Sequence, residues 1–258
     1  MIVDSQSVRN RPQIDLEWLD GHFEALCLSN RQARWVVRRA AGEGPPPRFV
    51  FGRTRLGCLW RFGASESDEV VRTLARYAAL EAPRAVSTTA RPVQPERLEP
   101  MRRALEAEAP ITRSWSGLAF RFERNAEDGD RSAAQAAGVI VVHQASDPRL
   151  DEWAEALGEP VAALRSALPL AVSIFDGRPV SVCRSARESA AGFVHAQVET
   201  ATSARGRGHA PKVVAAWARA VVKAGGWPIY STEWTNRSAR GVAQKLGLVA
   251  FACEWGFD

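Results

Sequence analysis

Hydrophobic positions along this 258-residue chain repeat with two periods, and the alternation between them predicts a protein of mixed helices and strands. Leu16, Leu19, Phe23 and Leu26 recur near helical spacing, so residues 15–28 are expected to form a helix. The run GEGPPP at 42–47 breaks regular structure and reads as a loop or linker. Strand-like runs fill 49–62. A helix is expected over 65–80, with Val70, Val71, Leu74 and Tyr77 on one face and Ser65 and Asp68 at capping-box spacing. Residues 95–107 read as helix, 117–123 as strand, and the polar stretch 125–131 as a turn or exposed loop. A boundary placed there divides the chain into an N-terminal α/β region, 1–134, and a second domain, 135–258. The first region is unassigned in function and could be a degenerate repeat of the second.

The second half has sharper punctuation. A β-branched run at 138–142 suits a buried strand, and 151–168 predicts one or two short helices interrupted near Gly158 and Pro160. Strands at 170–175, 179–185 and 192–200 follow. Asp176-Gly177 is a hairpin signal and a polar link lies near 187–189, so the three should form an antiparallel meander. The period then becomes helical from Ala210 to Ala224, with Val213, Val214, Trp217, Ala220 and Val221 on one face and Gly225-Gly226 at the end. A short strand at 228–232 leads to a helix over 236–246, with Asn236 as N-cap and Gly247 just beyond. A last strand covers 248–255.

Composition narrows the function classes only slightly. With 46% hydrophobic and 24% charged residues, the chain resembles an ordinary folded protein. Its net charge of +5 is spread along the sequence. Nearly all basic residues are Arg, with Lys only at 212, 223 and 245, so the charge favours an anionic small ligand over a nucleic acid. Cys27, Cys58, Cys183 and Cys253 are widely separated and read as free thiols, with no metal-binding spacing. No segment reads as a membrane span or a leader, so a cytoplasmic location is the expectation.

The chemistry concentrates at Arg205-Gly206-Arg207-Gly208-His209-Ala210, between a strand and an amphipathic helix. Helix N-termini present unpaired N–H groups and a positive dipole end, and glycines let a pyrophosphate approach the backbone. Arg205 and Arg207 would add charge-assisted hydrogen bonds. The loop lacks both the P-loop ending and the dinucleotide glycine spacing.

Arg205, Gly208 and Ala210, followed in order by Asn236, Ala239, Lys245, Leu246 and Gly247, resemble the acyl-CoA signature and the later N-x-x-A and K-L-G elements of the GNAT acyltransferase superfamily. The resemblance covers about 191–255 firmly and extends back to about 138. It implies a GNAT-like acyl-CoA acyltransferase fold, a central mixed sheet with splayed parallel strands. It also implies acetyl-CoA, or another short acyl-CoA, as co-substrate, with no metal. The backbone of Val198, Glu199 and Thr200 would pair with pantetheine, and an N–H there would polarise the thioester carbonyl. One such donor contributes about 2.7 to 4 kcal/mol to rate acceleration. Residues 205–210 would seat the pyrophosphate, and Asn236 with Ser238 would reach CoA from the other wall.

An acceptor amine, on a small molecule or a protein, must lose a proton. His195, Gln197 and Glu199 alternate with Val194, Ala196 and Val198 and so share one strand face. Glu199 is the first candidate for the base, Glu233 the second, and His195 reads equally as a core residue. The superfamily's common tyrosine, seven residues after the Asn, is Ala243 here. Tyr230, Thr232, Ser238 or a water would then serve as acid, and a non-catalytic acyl-CoA-binding module is the alternative function. Trp217, Trp227, Trp234 and Trp255 read as core or as an acceptor pocket, and Arg184 and Arg187 as a site for an acidic acceptor group or as solvated charges. Oligomeric state is left open.

Overall fold

The first predicted helix forms as α1 (Asp15–Leu26) in the computed structural model, which describes residues 15–30, 32, 34–38, 44–123 and 138–258. A short hairpin, β1 (Cys27–Ser29) and β2 (Trp35–Arg38), leads to β3 (Phe49–Arg53) and β4 (Cys58–Phe62). Then come α2 (Asp68–Ala79), α3 (Leu98–Glu106), β5 (Ser114–Arg121) and β6 (Val139–Val142). The predicted loop at 125–131 and the boundary near 134 lie outside the described residues. The chain continues through α4 (Arg149–Leu157), α5 (Val161–Ser166), β7 (Leu170–Phe175), β8 (Arg178–Glu188) and β9 (Phe193–Thr200). It ends in α6 (His209–Lys223), β10 (Trp227–Glu233), α7 (Arg237–Lys245) and β11 (Val249–Phe257).

Local signals account for most of these limits. Ser67, not Ser65, caps α2: its hydroxyl accepts from the Val70 N–H at 3.3 Å, while the Ser65 hydroxyl donates to Glu66. Gly158 ends α4 in the left-handed conformation, separating α4 from α5 as its sequence position suggested. Asp176 and Gly177 both have positive φ, 49° and 74°, which matches the twist of a two-residue hairpin between β7 and β8. Asn236 caps α7 by accepting from the Ala239 N–H at 3.0 Å.

A single mixed sheet runs in the order β4-β3-β11-β5-β10-β9-β8-β7-β6 among the described residues. All its neighbours are antiparallel except β9 and β10. Strand β5, from the first half of the chain, pairs on one edge with β10 and on the other with β11. Gly117 permits this close fit, since a Cβ there would lie 2.9 Å from the Thr232 carbonyl oxygen. One face of the sheet carries α2, α3, α6 and α7, with Leu74, Met101, Val213 and Trp217 in a common core. On the other, α1 packs Trp18, Leu19 and Phe23 against Phe193, Ile229 and Phe251, and α4 and α5 cover Leu170, Val172 and Val182. Burying a side chain such as Phe23 stabilises by roughly 1.5–3 kcal/mol.

His195 belongs to this second face and is a core residue, 1% exposed. Its Nε2 lies 2.8 Å from His22 Nδ1, and His22 Nε2 approaches Glu254 Oε1 at 2.5 Å without hydrogen-bond geometry. Burial, then the His22 ring and Arg187, push the His195 pKa well below 6.5. The unfolded chain therefore takes up a proton that the folded chain refuses. Stability contributed by neutral His195 is complete above about pH 6.5 and falls as pH drops below it, by up to about 1.4 kcal/mol per pH unit. Thermal denaturation should give a lower Tm near pH 5 than near pH 7. His195→Asn should shrink that difference, leaving the contribution of His209, whose pKa is also lowered. An undiminished difference would place the acid sensitivity elsewhere.

Candidate functional site

Strands β9 and β10 share register at only three pairs, Phe193 with Trp227, Val194 with Pro228, and His195 with Ile229. Past these, β9 stays with β8 as far as Thr200 opposite Ser181, and β10 stays with β5 as far as Glu233 opposite Gly117. Each strand follows its antiparallel neighbour, so the parallel pair splays and the facing backbone groups beyond it have no ladder across the gap. The irregularity in this part of the sheet falls on β8, between Ser185 and Arg187, and β9 keeps its alternation. Val194, Ala196 and Val198 accordingly face the α6 core, while His195, Gln197 and Glu199 share the opposite face.

A cleft of about 720 Å³ opens where the strands part. Its walls bring together Val198, Glu199, Thr200, Arg205, Gly206, Gly208, His209, Ala210, Tyr230, Asn236 and Ser238. Its volume falls in the range of small-molecule sites, roughly 300–1,000 Å³. Two other depressions, of about 350 and 510 Å³, contain none of these residues.

The loop before α6 has the geometry of an anion seat. Gly206 and Gly208 have φ of 79° and 84°, and nothing lies within 4 Å of where either Cβ would stand. Gly208 is the N-cap of α6 and supplies no side-chain cap. Among the described residues, the N–H groups from Gly206 to Ala210 have no protein acceptor. Such donors, with the positive end of a 15-residue helix behind them, suit an anion such as a diphosphate. Arg205 lies in the cleft wall, its Nε donating to the Thr200 carbonyl at 3.2 Å. Arg207 lies outside the lining, with its guanidinium 5.8 Å from the centre of the Phe175 ring. His209 Nδ1 is 3.0 Å from the Ser173 hydroxyl. Burial, then Lys212 and Arg207, lower the His209 pKa, so this residue offers the seat an amide rather than a charge.

The opposite wall is α7. Asn236 lines the cleft, but its Oδ1 is committed to capping, which leaves the side-chain NH2 for a ligand. Tyr230 is 2% exposed and donates to the Ala239 carbonyl at 3.2 Å. Burial raises its pKa well above the ordinary phenol value. Ala243 is buried in the core.

The two candidate carboxylates separate. Glu199 lines the cleft, and its Oε1 accepts from Arg184 Nη2 at 3.0 Å and from Gln197 Nε2 at 3.1 Å. Glu233 lies outside the lining and pairs with Arg113. Arg184 is neither solvated nor open to an acidic acceptor, being 8% exposed and held by Glu159 and Glu199. Trp217, Trp227 and Trp255 are core residues, and Trp234 stacks under Arg240 at 3.9 Å.

Gly241, Val242 and Lys245 escaped the sequence reading as lining residues. With the expected Ser238 they line the cleft at i, i+3, i+4, i+7 spacing, a second face of α7 beside the apolar one. Gly241 was the available signal. A mid-helix glycine costs roughly 0.5–1 kcal/mol relative to alanine, and no neighbour here needs the space, since its Cβ would meet nothing within 4 Å.

No protein-family model matches this chain. No curated protein matches it either. Solved structures to which it is similar include GNAT-family acetyltransferases. A GCN5-related N-acetyltransferase-like protein from Streptococcus suis shares 14% identity over 83% of this chain and 85% of its own, with a TM-score of 0.48. A GNAT-family acetyltransferase from Colwellia psychrerythraea shares 15% over 77% and 75%, at 0.43. A protein from Novosphingobium aromaticivorans, described as a GNAT-family acetyltransferase, shares 17% over 57% and 66%, at 0.41, so this chain spans just under two thirds of it. The geometry of the cleft itself, rather than these distant likenesses, carries the functional reading.

Gly241→Ala should raise stability by about 0.5–1 kcal/mol in urea denaturation while weakening acetyl-CoA binding in calorimetry. A variant that binds as tightly as the wild type would show that this wall does not meet the ligand.

Proposed function

We propose that the protein is an acyl-CoA-dependent N-acetyltransferase that passes an acetyl group directly from acetyl-CoA to a primary amine. The observation that carries this reading is the opening of a parallel strand pair onto an unpaired amide seat at a helix N-terminus, within one cleft. Exposed β-edge groups on residues 198–200 suit the amides of a pantetheine arm, and the seat at 205–210 suits its diphosphate. Among the described residues no cluster of His, Cys, Asp or Glu has the arrangement of a metal site.

When bound, the acyl thioester supplies a carbonyl whose C–S bond breaks as the amine forms its C–N bond; the nitrogen releases one proton and the departing thiolate takes one up. Glu199 is the residue we assign to receive the amine proton, directly or through water, because it is the candidate carboxylate in the cleft. Tyr230 suits the acid role poorly. Its raised pKa makes it a weak donor to a thiolate whose conjugate acid titrates near about 8.5, and its proton is engaged with Ala239. Water or Ser238 is the better proton source. Non-catalytic acyl-CoA binding remains the second reading, favoured by the burial of Tyr230 and by Ala243 at the tyrosine position.

Three variants test these assignments. Arg205→Ala should weaken acetyl-CoA binding by roughly tenfold to a hundredfold, as expected for loss of one charge-assisted hydrogen bond. Glu199→Gln should bind acetyl-CoA normally yet release CoA about 10²- to 10⁴-fold more slowly with an amine library. Tyr230→Phe should turn over within about threefold of the wild type and lose about 1 kcal/mol of stability. Binding without any amine-dependent CoA release would leave the second reading standing, and a loss of turnover in Tyr230→Phe would return the acid role to the phenol.

A further inference from the structure

Arg184 reaches the cleft side of β8 from a nearly dry position and divides its guanidinium between two carboxylates. Its Nη2 donates to Glu159 Oε1 at 3.1 Å, and its Nη1 lies 3.0 Å from Glu159 Oε2 as an ion pair without hydrogen-bond geometry. The same Nη2 donates to Glu199 Oε1 at 3.0 Å. Glu159 sits in the turn between α4 and α5, directly after the left-handed Gly158 that ends α4. Side-chain exposure falls from 50% at Glu199 to 17% at Glu159 and 9% at Arg184, so the interaction is screened by water only at the cleft end. Both bonds to Glu199, from Arg184 and Gln197, fall on Oε1. Oε2 takes neither.

We infer that Glu159 is a positioning residue: through one hydrogen bond and a close ion-pair contact it fixes the guanidinium that pins Glu199 to the cleft wall, and its own negative charge keeps Arg184 from serving Glu199 alone. The role given to Glu199 rests on the acetyltransferase reading; the coupling among the three side chains does not. Two carboxylates around one guanidinium carry a net charge of −1. Were Glu199 the only partner of Arg184, the pair would be neutral, the ionised form of Glu199 would be over-stabilised, and the carboxylate would be a poorer base. Glu159 also lies 3.0 Å from Nη1, and Arg184 holds its carboxyl below the usual carboxylate range. The other charged groups around the cleft are Arg205, His209, Arg237 and Lys245. They are unchanged in the comparison below. A surplus negative charge beside the acceptor path also favours an amine that arrives as a cation over one carrying an acidic group.

The test uses the full chain and reads the Glu199 side-chain carboxyl by ¹³C NMR titration, the signal being assigned by its loss in Glu199→Gln. Glu159→Gln should lower the Glu199 midpoint by at least about half a pH unit, since the guanidinium then serves Glu199 alone. It should also lower kcat by roughly threefold to tenfold and move the acidic limb of kcat/KM to lower pH, with KM for acetyl-CoA within about twofold. Glu159→Asp should recover part of both effects. Arg184→Lys, which keeps the charge but not the fork, should loosen Glu199 and lower kcat, and its melting curve will show whether it remains folded. A Glu199 midpoint unmoved in a folded, active Glu159→Gln overturns the inference, as does an unchanged kcat beside a shifted midpoint. A shifted midpoint in a protein that acetylates no amine instead overturns the acetyltransferase reading and leaves the coupling intact.

Discussion

The site depends on one constraint, the early parting of β9 and β10. Parallel ladders have slanted bonds and are slightly less stable per residue than antiparallel ones, and here each strand has an antiparallel neighbour that claims it over a longer run. With β8 holding β9 and β5 holding β10, the parallel contact is limited to three residue pairs. The gap that follows is therefore a product of ordinary strand pairing on either side. Backbone donors and acceptors at its edges, which elsewhere in a sheet would be a liability, are left open for a ligand. Everything proposed for the acyl donor follows from where that gap opens relative to Gly208 and the first turn of α6.

The second layer of the site is electrostatic. The end near α6 offers amides and Arg205 to an anion, with His209 kept uncharged by burial and by Lys212 and Arg207. The Glu199 side carries the carboxylates, with Arg184 consumed between two of them. One cleft thus has a cationic end suited to a diphosphate and an anionic side suited to an amine. Three of the thiols stand apart from this pattern. Burial raises the pKa of Cys253 to about 12 and of Cys58 to about 11, and raises that of the buried Cys183 as well, which leaves these three poor nucleophiles.

Much of the second half was legible in the sequence because its signals are local. The period of Val213, Val214 and Trp217, the Asn236 cap, the Asp176-Gly177 turn and the glycines before α6 each act within a few residues, and each does in the structure what its type suggests. What stayed hidden depends on distance. Nothing near Ser114–Arg121 says that this strand lies between β10 and β11, for the pairing is set by partners more than a hundred positions away. His22 and His195 are 173 residues apart, and Glu159 and Arg184 are 25 apart, so neither pairing leaves a motif. Arg207 was read as a phosphate ligand from its place in the glycine loop, and its guanidinium stands 5.8 Å from the centre of the Phe175 ring, outside the cleft lining.

The place of β5 also has a consequence for how the chain comes to be folded. A ribosome delivers this strand before either of its partners, so both of its hydrogen-bonded edges wait for β10 and β11, more than a hundred residues further along the chain. Until then its apolar residues Leu118, Ala119 and Phe120 have no sheet to enter. Such sequence-distant pairing raises contact order, slows the search for the native state and prolongs the exposure of sticky intermediates. The residues β5 will bury thus stay uncovered until β10 and β11 have both left the ribosome.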